Sequence, residues 1–422
     1  MKKSYLSAVI LTVLSVPAIA DTTIDNMFSE GGMDVQLRLF DFSRDFDGAS
    51  KDRHDTSIGG LFRYNTASVN GISFGTSFAS ANKLWIDDSK AVYSLLGTGA
   101  NGEHENVNRM QEYFAQGEWW NTRFRLGAQE FDTPFMNTHD IRALPRTFRG
   151  FSVVNKSIKD LSLSAFYITD SMGWNDSNFL KINEAVKADL VRDRRITANT
   201  EVADNPVYIL GADYKLPTDV IQTKLSLWDY NMEDVFNFAY AKLDLSSDIG
   251  KTNIYLVPSY AIQKSVGEET GGVFDTYQYG IDLGAKFAGM DLMLKYGETG
   301  DDALLAPWGD EKVVIMQGVQ AGSRANETAK AIKLSYNFGG LGIKGLQGFV
   351  YYGEFDVPDI PGSKINETDF SLGYSLDKWL KGLSVRARYA IVDKENGEDY
   401  TDTRLFLKYN FSLGKPANKP RR

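Results

Sequence analysis

The 422-residue chain contains no cysteine. No disulfide framework is open to it, and its stability must come from a large core or from closed hydrogen bonding. It also lacks any long apolar run after position 20. A helix that crosses a bilayer needs roughly twenty consecutive apolar residues, and the one candidate, Leu6 to Ala20, is too short and stands at the very start. That excludes a helical membrane protein. Proline is scarce, at 11 residues, and no proline-rich or serine-rich stretch marks a linker between domains. Histidine is scarcer: His54, His104 and His139 are the only three. Each falls in an expected loop, and none has the i, i+4 spacing of a zinc helix. We expect exposed loop histidines and no metal site. Basic residues are outnumbered, 46 against 55 acidic, for a formal net charge of −9. Such a balance repels polyanions and argues against nucleic acid as a partner, but it leaves open the local sign inside a cleft or pore.

The start reads as an export signal. Lys2 and Lys3 form its charged region, Leu6 to Val16 its apolar region, and Ala18-Ile19-Ala20 the small-residue cleavage motif before Asp21. Removing this leader, which carries two lysines and no acid, takes the net charge to −11. We expect residues 1–20 to be a signal peptide, 21–422 a single barrel domain, and 414–422 its tail.

Beyond the leader, apolar residues fall on every second position over segments of about ten residues, the period of strands and not of helices. Tyr279, Ile281, Leu283, Ala285 and Phe287 alternate with Gln278, Gly280, Asp282, Gly284 and Lys286. Leu383, Val385, Ala387, Tyr389 and Ile391 alternate with Ser384, Arg386, Arg388 and Ala390. The pattern predicts eighteen strands: 34–46, 56–69, 71–80, 111–121, 122–131, 149–157, 161–170, 205–216, 220–230, 233–245, 250–263, 276–288, 289–298, 328–338, 344–356, 366–376, 381–392 and 401–413. A soluble sandwich alternates as well, so connection lengths carry the distinction. Short connections, such as Asn70 and Pro217 to Asp219, mostly alternate with long ones at 81–110, 132–148, 171–204 and 299–327. That is the outer-membrane pattern of short periplasmic turns and long external loops. In hydrocarbon no backbone amide can stay unpaired, so such a sheet must close on itself. The expected fold is an all-β transmembrane antiparallel barrel in the outer membrane of a Gram-negative bacterium, with lipid and lipopolysaccharide around it.

Several strings mimic catalytic motifs. Gly71-Ile72-Ser73-Phe74-Gly75 matches a nucleophile elbow but continues a strand where that motif needs a strand-to-helix turn. Gly97-Thr98-Gly99-Ala100-Asn101-Gly102 fits a dinucleotide fingerprint with no following helix. Asp45, Asp47 and Gly48 resemble a piece of a calcium loop that lacks its distal glutamate. We assign no catalytic residue, cofactor or metal. A different feature stands out: Arg38, Arg63, Arg123, Arg125, Lys286, Lys295, Lys333, Arg386, Arg388, Arg404 and Lys408 lie on the polar face, hence toward the lumen of a barrel. In a narrow pore such a series draws in anions and hands them on. Alternatively these cations pair with Asp282, Asp291 and Asp369 and only brace the wall.

Several stretches resemble the OprD-type family of substrate-selective outer-membrane porins. They are Leu37-Arg38-Leu39-Phe40-Asp41-Phe42-Ser43-Arg44-Asp45-Phe46; Arg125-Leu126-Gly127 followed by Asp140-Ile141-Arg142-Ala143-Leu144-Pro145-Arg146-Thr147-Phe148-Arg149-Gly150; Trp228-Asp229-Tyr230 with Glu233-Asp234-Val235-Phe236; and Arg324-Ala325-Asn326-Glu327 before Tyr336-Asn337-Phe338. The resemblance implies an eighteen-stranded barrel whose third and seventh loops fold inward to an eyelet. It also implies a ladder of lumen arginines that favours carboxylate-bearing solutes. On this basis the pore residues are Arg38, Arg63, Arg123, Arg125, Asp140, Arg142, Arg146, Arg149, Arg324, Glu327, Arg386, Arg388 and Arg404. The expected function is passive, partly selective uptake of small anions; a sugar-selective or general porin is the alternative, ahead of a barrel enzyme or an adhesin. The barrel-assembly machinery is a further expected partner, and the chain is expected as a monomer or a loose homotrimer. Phe411 is followed by eleven residues rather than ending the chain, a departure from barrels that finish on an aromatic residue.

Overall fold

A computed structural model describes residues 22–309 and 311–414. The expected signal peptide, Asp310 and the expected tail beyond Gly414 lie outside the described residues. Eighteen long strands form the wall. In chain order they are β1 (Gly32–Phe46), β2 (Arg53–Asn65), β3 (Ile72–Lys83), β4 (Val107–Trp119), β5 (Thr122–Gln129), β6 (Thr147–Asn155), β7 (Leu161–Met172), β8 (Val207–Leu216) and β9 (Gln222–Met232). The second half comprises β10 (Phe236–Ile249), β11 (Thr252–Ser265), β12 (Asp275–Phe287), β13 (Met290–Thr299), β14 (Thr328–Asn337), β15 (Leu346–Asp356), β16 (Ile365–Ser375), β17 (Leu383–Lys394) and β18 (Tyr400–Gly414). Each pairs antiparallel with the next, and β1 pairs β18 from Gly32↔Gly414 to Phe46↔Tyr400. The sheet closes and has no edge, which satisfies the backbone as hydrocarbon requires. No helix among the described residues is long and apolar enough to cross a membrane.

All eighteen expected strands are present, and the differences sit at their ends. β4 starts at Val107 rather than 111, and β3 runs to Lys83 rather than 80. Backbone pairing Ala81↔Val107 continues where side-chain alternation has stopped, because a strand leaving an apolar layer keeps its ladder but no longer needs a greasy face. The expected outer face is exposed: Ile281, Leu283, Leu334, Phe370, Leu372 and Tyr389 all stand free on the outside.

The interior departs from a simple polar lumen. At mid-height the inner face is apolar, and long loops pack on it. Phe40 and Phe42 on β1 and Phe406 on β18 pack with Tyr93, Leu95 and Leu96 of the second long-end loop (84–106) and with Ala143 and Leu144 of the third (130–146). Trp228, Tyr230, Phe236, Phe238 and Tyr240 on β9 and β10 pack with Phe135 and Met136 of the third loop and Leu304, Leu305 and Trp308 of the seventh (300–327). Helix α1 (Thr22–Ser29) precedes the barrel, and α2 (Ile182–Arg192) of the fourth loop (173–206) tucks Ile182, Val186 and Leu190 into the second cluster. Burying these aliphatic and aromatic side chains, each worth about 1.5–3 kcal/mol, offsets the entropy of holding long loops inside.

Candidate functional site

The third loop leaves β5 and crosses the interior. Its first half is held by the seventh loop: Asn137 donates its backbone N–H to the Trp308 carbonyl at 3.0 Å, and a parallel bridge joins Met136 to Trp308. The Tyr230 hydroxyl accepts from the Phe135 backbone N–H at 3.0 Å. Its second half is held by β1. Arg38, 4% exposed, grips both Asp140 oxygens at 2.6 and 2.8 Å and donates to the Ala143 carbonyl at 2.9 Å. Burial opposes ionisation of Asp140, but Arg38 and then Lys408 hold its carboxyl below the usual carboxylate range. Fork-to-carboxylate geometry fixes direction as well as distance, so the backbone after Asp140 is aimed at one place.

That backbone delivers Arg142 into a ring of aromatics. Its guanidinium carbon lies 4.8 Å from the ring centre of Phe42 on β1, 5.2 Å from Tyr93 of the second loop and 5.2 Å from Trp174 of the fourth. Arg146 sits over the same Trp174 at 4.0 Å. Burial, then the neighbouring Arg404, pushes Arg142 down to about 10, so it stays cationic at neutral pH. Among the described residues its Nε and Nη1 have no hydrogen-bond acceptor. Such orphaned, charged donors are costly to leave buried, and a carboxylate would satisfy them.

Below this point, toward the short turns, a cavity of about 470 Å³ is bordered by Asp140, Ile141, Arg386, Arg388, Phe406 and Lys408 and reaches Asn337, Gly345 and Ser375. Arg388 lies 3.4 Å from Asp369, and Arg386 is exposed to the lumen. Arg404, 1% exposed, bonds Asp402 at 2.7 Å and the Gln317 carbonyl at 2.7 Å. On the other side of the third loop a second cavity, about 510 Å³, is bordered by Asp132, His139, Asp213, Lys224, Lys242 and Glu311, with Asp140 touching both. Here the charges are matched: Lys224 with Asp213 at 2.8 Å and Lys242 with Glu311 at 2.5 Å.

The seventh loop is pinned by carboxylates. Gln317 donates its backbone N–H to Asp369 at 3.0 Å, and Gly318 and Val319 donate theirs to the two Glu367 oxygens, each at 2.7 Å. Gln263 and Leu305 exchange two bonds, each 2.8 Å.

The structure thus gathers Arg38, Asp140, Arg142, Arg146, Arg386, Arg388 and Arg404 around the second half of the third loop and the cavity below it, with Arg38 and Arg404 themselves buried. The remaining expected residues sit apart. Arg63 pairs with Glu130 at 2.8 Å, where the third loop leaves the wall. Arg125 bonds Gln116 at 2.7 Å over the Phe114 ring, near half-buried Arg123. Arg324 and Glu327 bind each other at 2.9 Å, and Arg324 also reaches the Ser363 carbonyl. Burial pushes the Glu327 carboxyl up, opposed by Arg324, and the pair staples the seventh loop to the eighth (357–364). Arg149 is on β6, not in the loop; it shares the outer face with exposed Phe151 and meets Asp170, Tyr113 and Phe179 there, beside a bulge at Thr169 of β7.

The histidines need correction too. His104 is 3% exposed, its Nδ1 lying 2.7 Å from Asp55 and its Nε2 3.2 Å from the Lys90 carbonyl. His54 belongs to β2 and meets Asp41 at 2.9 Å. The second loop folds back over β2 and covers what loop position alone suggests is exposed. Sequence reasoning also misses Arg44, Tyr93, Trp174, Gln317 and Asp402. Only Asp402 had a legible signal, its place two residues before Arg404 on the same strand face.

Comparison with known proteins comes after this geometry. The family model of outer membrane porin, OprD family, matches residues 26–413. No curated protein matches in sequence. Among solved structures, Pseudomonas aeruginosa OpdK with vanillate superposes with TM-score 0.80 at 22% identity, covering 92% of this chain and 100% of that one. Pseudomonas aeruginosa OccK9 (OpdG) gives 0.80 at 21%, with the same coverage. A BenF-like porin from Pseudomonas fluorescens Pf-5 gives 0.80 at 18%, again with that coverage.

Proposed function

This chain belongs to the OprD family of outer membrane porins, and from that premise we propose that it takes up small carboxylate-bearing solutes by passive diffusion through an arginine-lined constriction. The observation that carries this reading is Arg142, a half-buried arginine framed by three aromatic rings, whose buried Nε and Nη1 lack acceptors among the described residues. A carboxylate arriving from outside meets it first, then exchanges it for Arg388, Arg386 and Lys408 in the cavity below. Arg142 is shared with aromatic faces, Arg388 with Asp369 and Lys408 with Asp140, so binding is strong enough to enter and weak enough to leave. No covalent step or energy source is involved.

The alternative of a sugar channel asks for an open track of aromatic faces. The inner aromatics Trp228, Tyr230 and Tyr240 are instead covered by the third and seventh loops. The test is bilayer recording and liposome swelling with a panel of monocarboxylates, dicarboxylates and neutral sugars. We expect anion-over-cation permeability at low salt and carboxylate flux that drops in Arg142→Ala. A cation-selective pore, or sugar flux equal to carboxylate flux, overturns the proposal.

A further inference from the structure

The short-turn end carries a feature that neither the passage nor the wall explains. Its turns project large apolar side chains beyond the strands: Trp120 is 83% exposed, Val220 76%, and Leu341 and Trp379 each 66%. Trp120 and Asn121 form a two-residue hairpin turn, both with positive φ, of 51° and 54°. Asn or Gly is usual at such positions, and a bulky residue there is strained. Lysines stand beside these tips: Lys156 and Lys159 flank exposed Ile158, Lys251 follows exposed Ile249, and Lys344, Lys378 and Lys381 neighbour Leu341, Trp379 and Leu380. All six lysines are exposed, and none forms a salt bridge among the described residues. The turn 376–382 condenses the pattern, its backbone wound once by Leu380 N–H to Leu376 C=O at 3.0 Å, so that Lys378, Trp379, Leu380 and Lys381 share one outward knob.

The long-loop end also has exposed apolar tips, Trp85, Val273 and Ile360, but acids accompany them: Asp87 and Asp88, Glu268 and Glu269, and Asp359. The short-turn end has acids too, Asp160, Asp219, Asp248 and Asp377, but turns 338–345 and 376–382 together set three lysines beside their apolar tips against one acid, Asp377. That end is the periplasmic one by the length rule for these barrels.

We propose that the periplasmic rim, centred on turns 338–345 and 376–382, is a binding surface for anionic phospholipid, with Trp379, Leu341 and Ile343 among the acyl chains and Lys344, Lys378 and Lys381 on the phosphates. Position and charge select this occupant. The tips continue the lipid-facing wall of Val350, Phe370 and Leu372 directly above them, so the same solvent reaches them. Lysines at that depth meet the headgroup layer, where a negative surface attracts them, and Trp is favoured at that boundary.

The test uses the full-length chain in phosphatidylcholine bilayers and measures, by spin-labelled lipid competition, its preference for phosphatidylglycerol over phosphatidylcholine, with lipopolysaccharide as a third arm. We expect a several-fold preference for phosphatidylglycerol at low salt that disappears at 1 M salt. It should fall to parity in Lys344→Gln/Lys378→Gln/Lys381→Gln while single-channel conductance stays unchanged. Should the triple variant fail to insert, the salt series on the unaltered chain decides. No preference at low salt, a preference that survives the substitutions, or competition by lipopolysaccharide that these lysines control overturns the proposal.

Discussion

The two cavities that the third loop separates are built from the same residue types and differ in how those residues are matched. On the β9 and β10 side, Lys224 and Lys242 each have a carboxylate within 2.8 Å, and acids border the space in excess. On the β17 and β18 side, Arg386, Arg388 and Lys408 share the space with one bordering acid, Asp140, and that acid is already gripped by Arg38. Close pairs brace the first side; on the second the pairs are looser, Arg388 with Asp369 at 3.4 Å and Lys408 with Asp140 at 3.5 Å, and Arg386 is exposed. A lumen arginine on the sequence gains meaning only with the loop that faces it.

The comparison can be broken most severely by reversing charge. Arg386→Glu/Arg388→Glu is expected to invert ion preference from anion to cation, read as a change in the sign of the reversal potential in a salt gradient. Next, Arg142→Ala removes a charged donor set worth about 1.5–3 kcal/mol to a carboxylate, so carboxylate flux should fall roughly tenfold or more in liposome swelling, with chloride conductance affected less. Third, Leu144→Ala deletes a side chain that is 0% exposed under the third loop. A loss of about 2–5 kcal/mol of docking should leave the barrel closed but raise conductance and open-channel noise.

The contrast should sharpen, by a smaller amount, in Glu311→Gln: cation permeability drops modestly while anion flux holds, because this acid faces the matched wall. The mildest expected effect is with pH. Asp140 is depressed by Arg38 and Lys408; its contribution to docking is present above the ordinary carboxylate range and is lost as pH falls through its lowered value. Anion preference should therefore stay flat from neutral pH through the ordinary carboxylate range and rise only in stronger acid, and Asp140→Asn should show that raised preference at all pH values.

The wall was legible because hydrocarbon on one side imposes a strict period of two on segments such as 276–288. The loops impose no period, so their fate was not. Arg142 came from resemblance alone, Arg38 from spacing as well, and Arg149 was misplaced because it belongs to β6, on the outer face with Phe151, and not to the loop. His104 and Tyr93 were hidden for a third reason: their burial depends on the second loop folding back, a contact between Asp55 and residues 93–104 that local pattern does not encode.

The seam between β1 and β18 joins the first and last strands of the wall. Loop closure across almost the entire polymer has to be met before any of the ring is sealed, and such long-range contacts form slowly. Until Tyr400–Gly414 docks, the nascent sheet has two raw margins that a bilayer cannot solvate. Pairing of this last strand with the first is therefore what leaves the ring without an open margin.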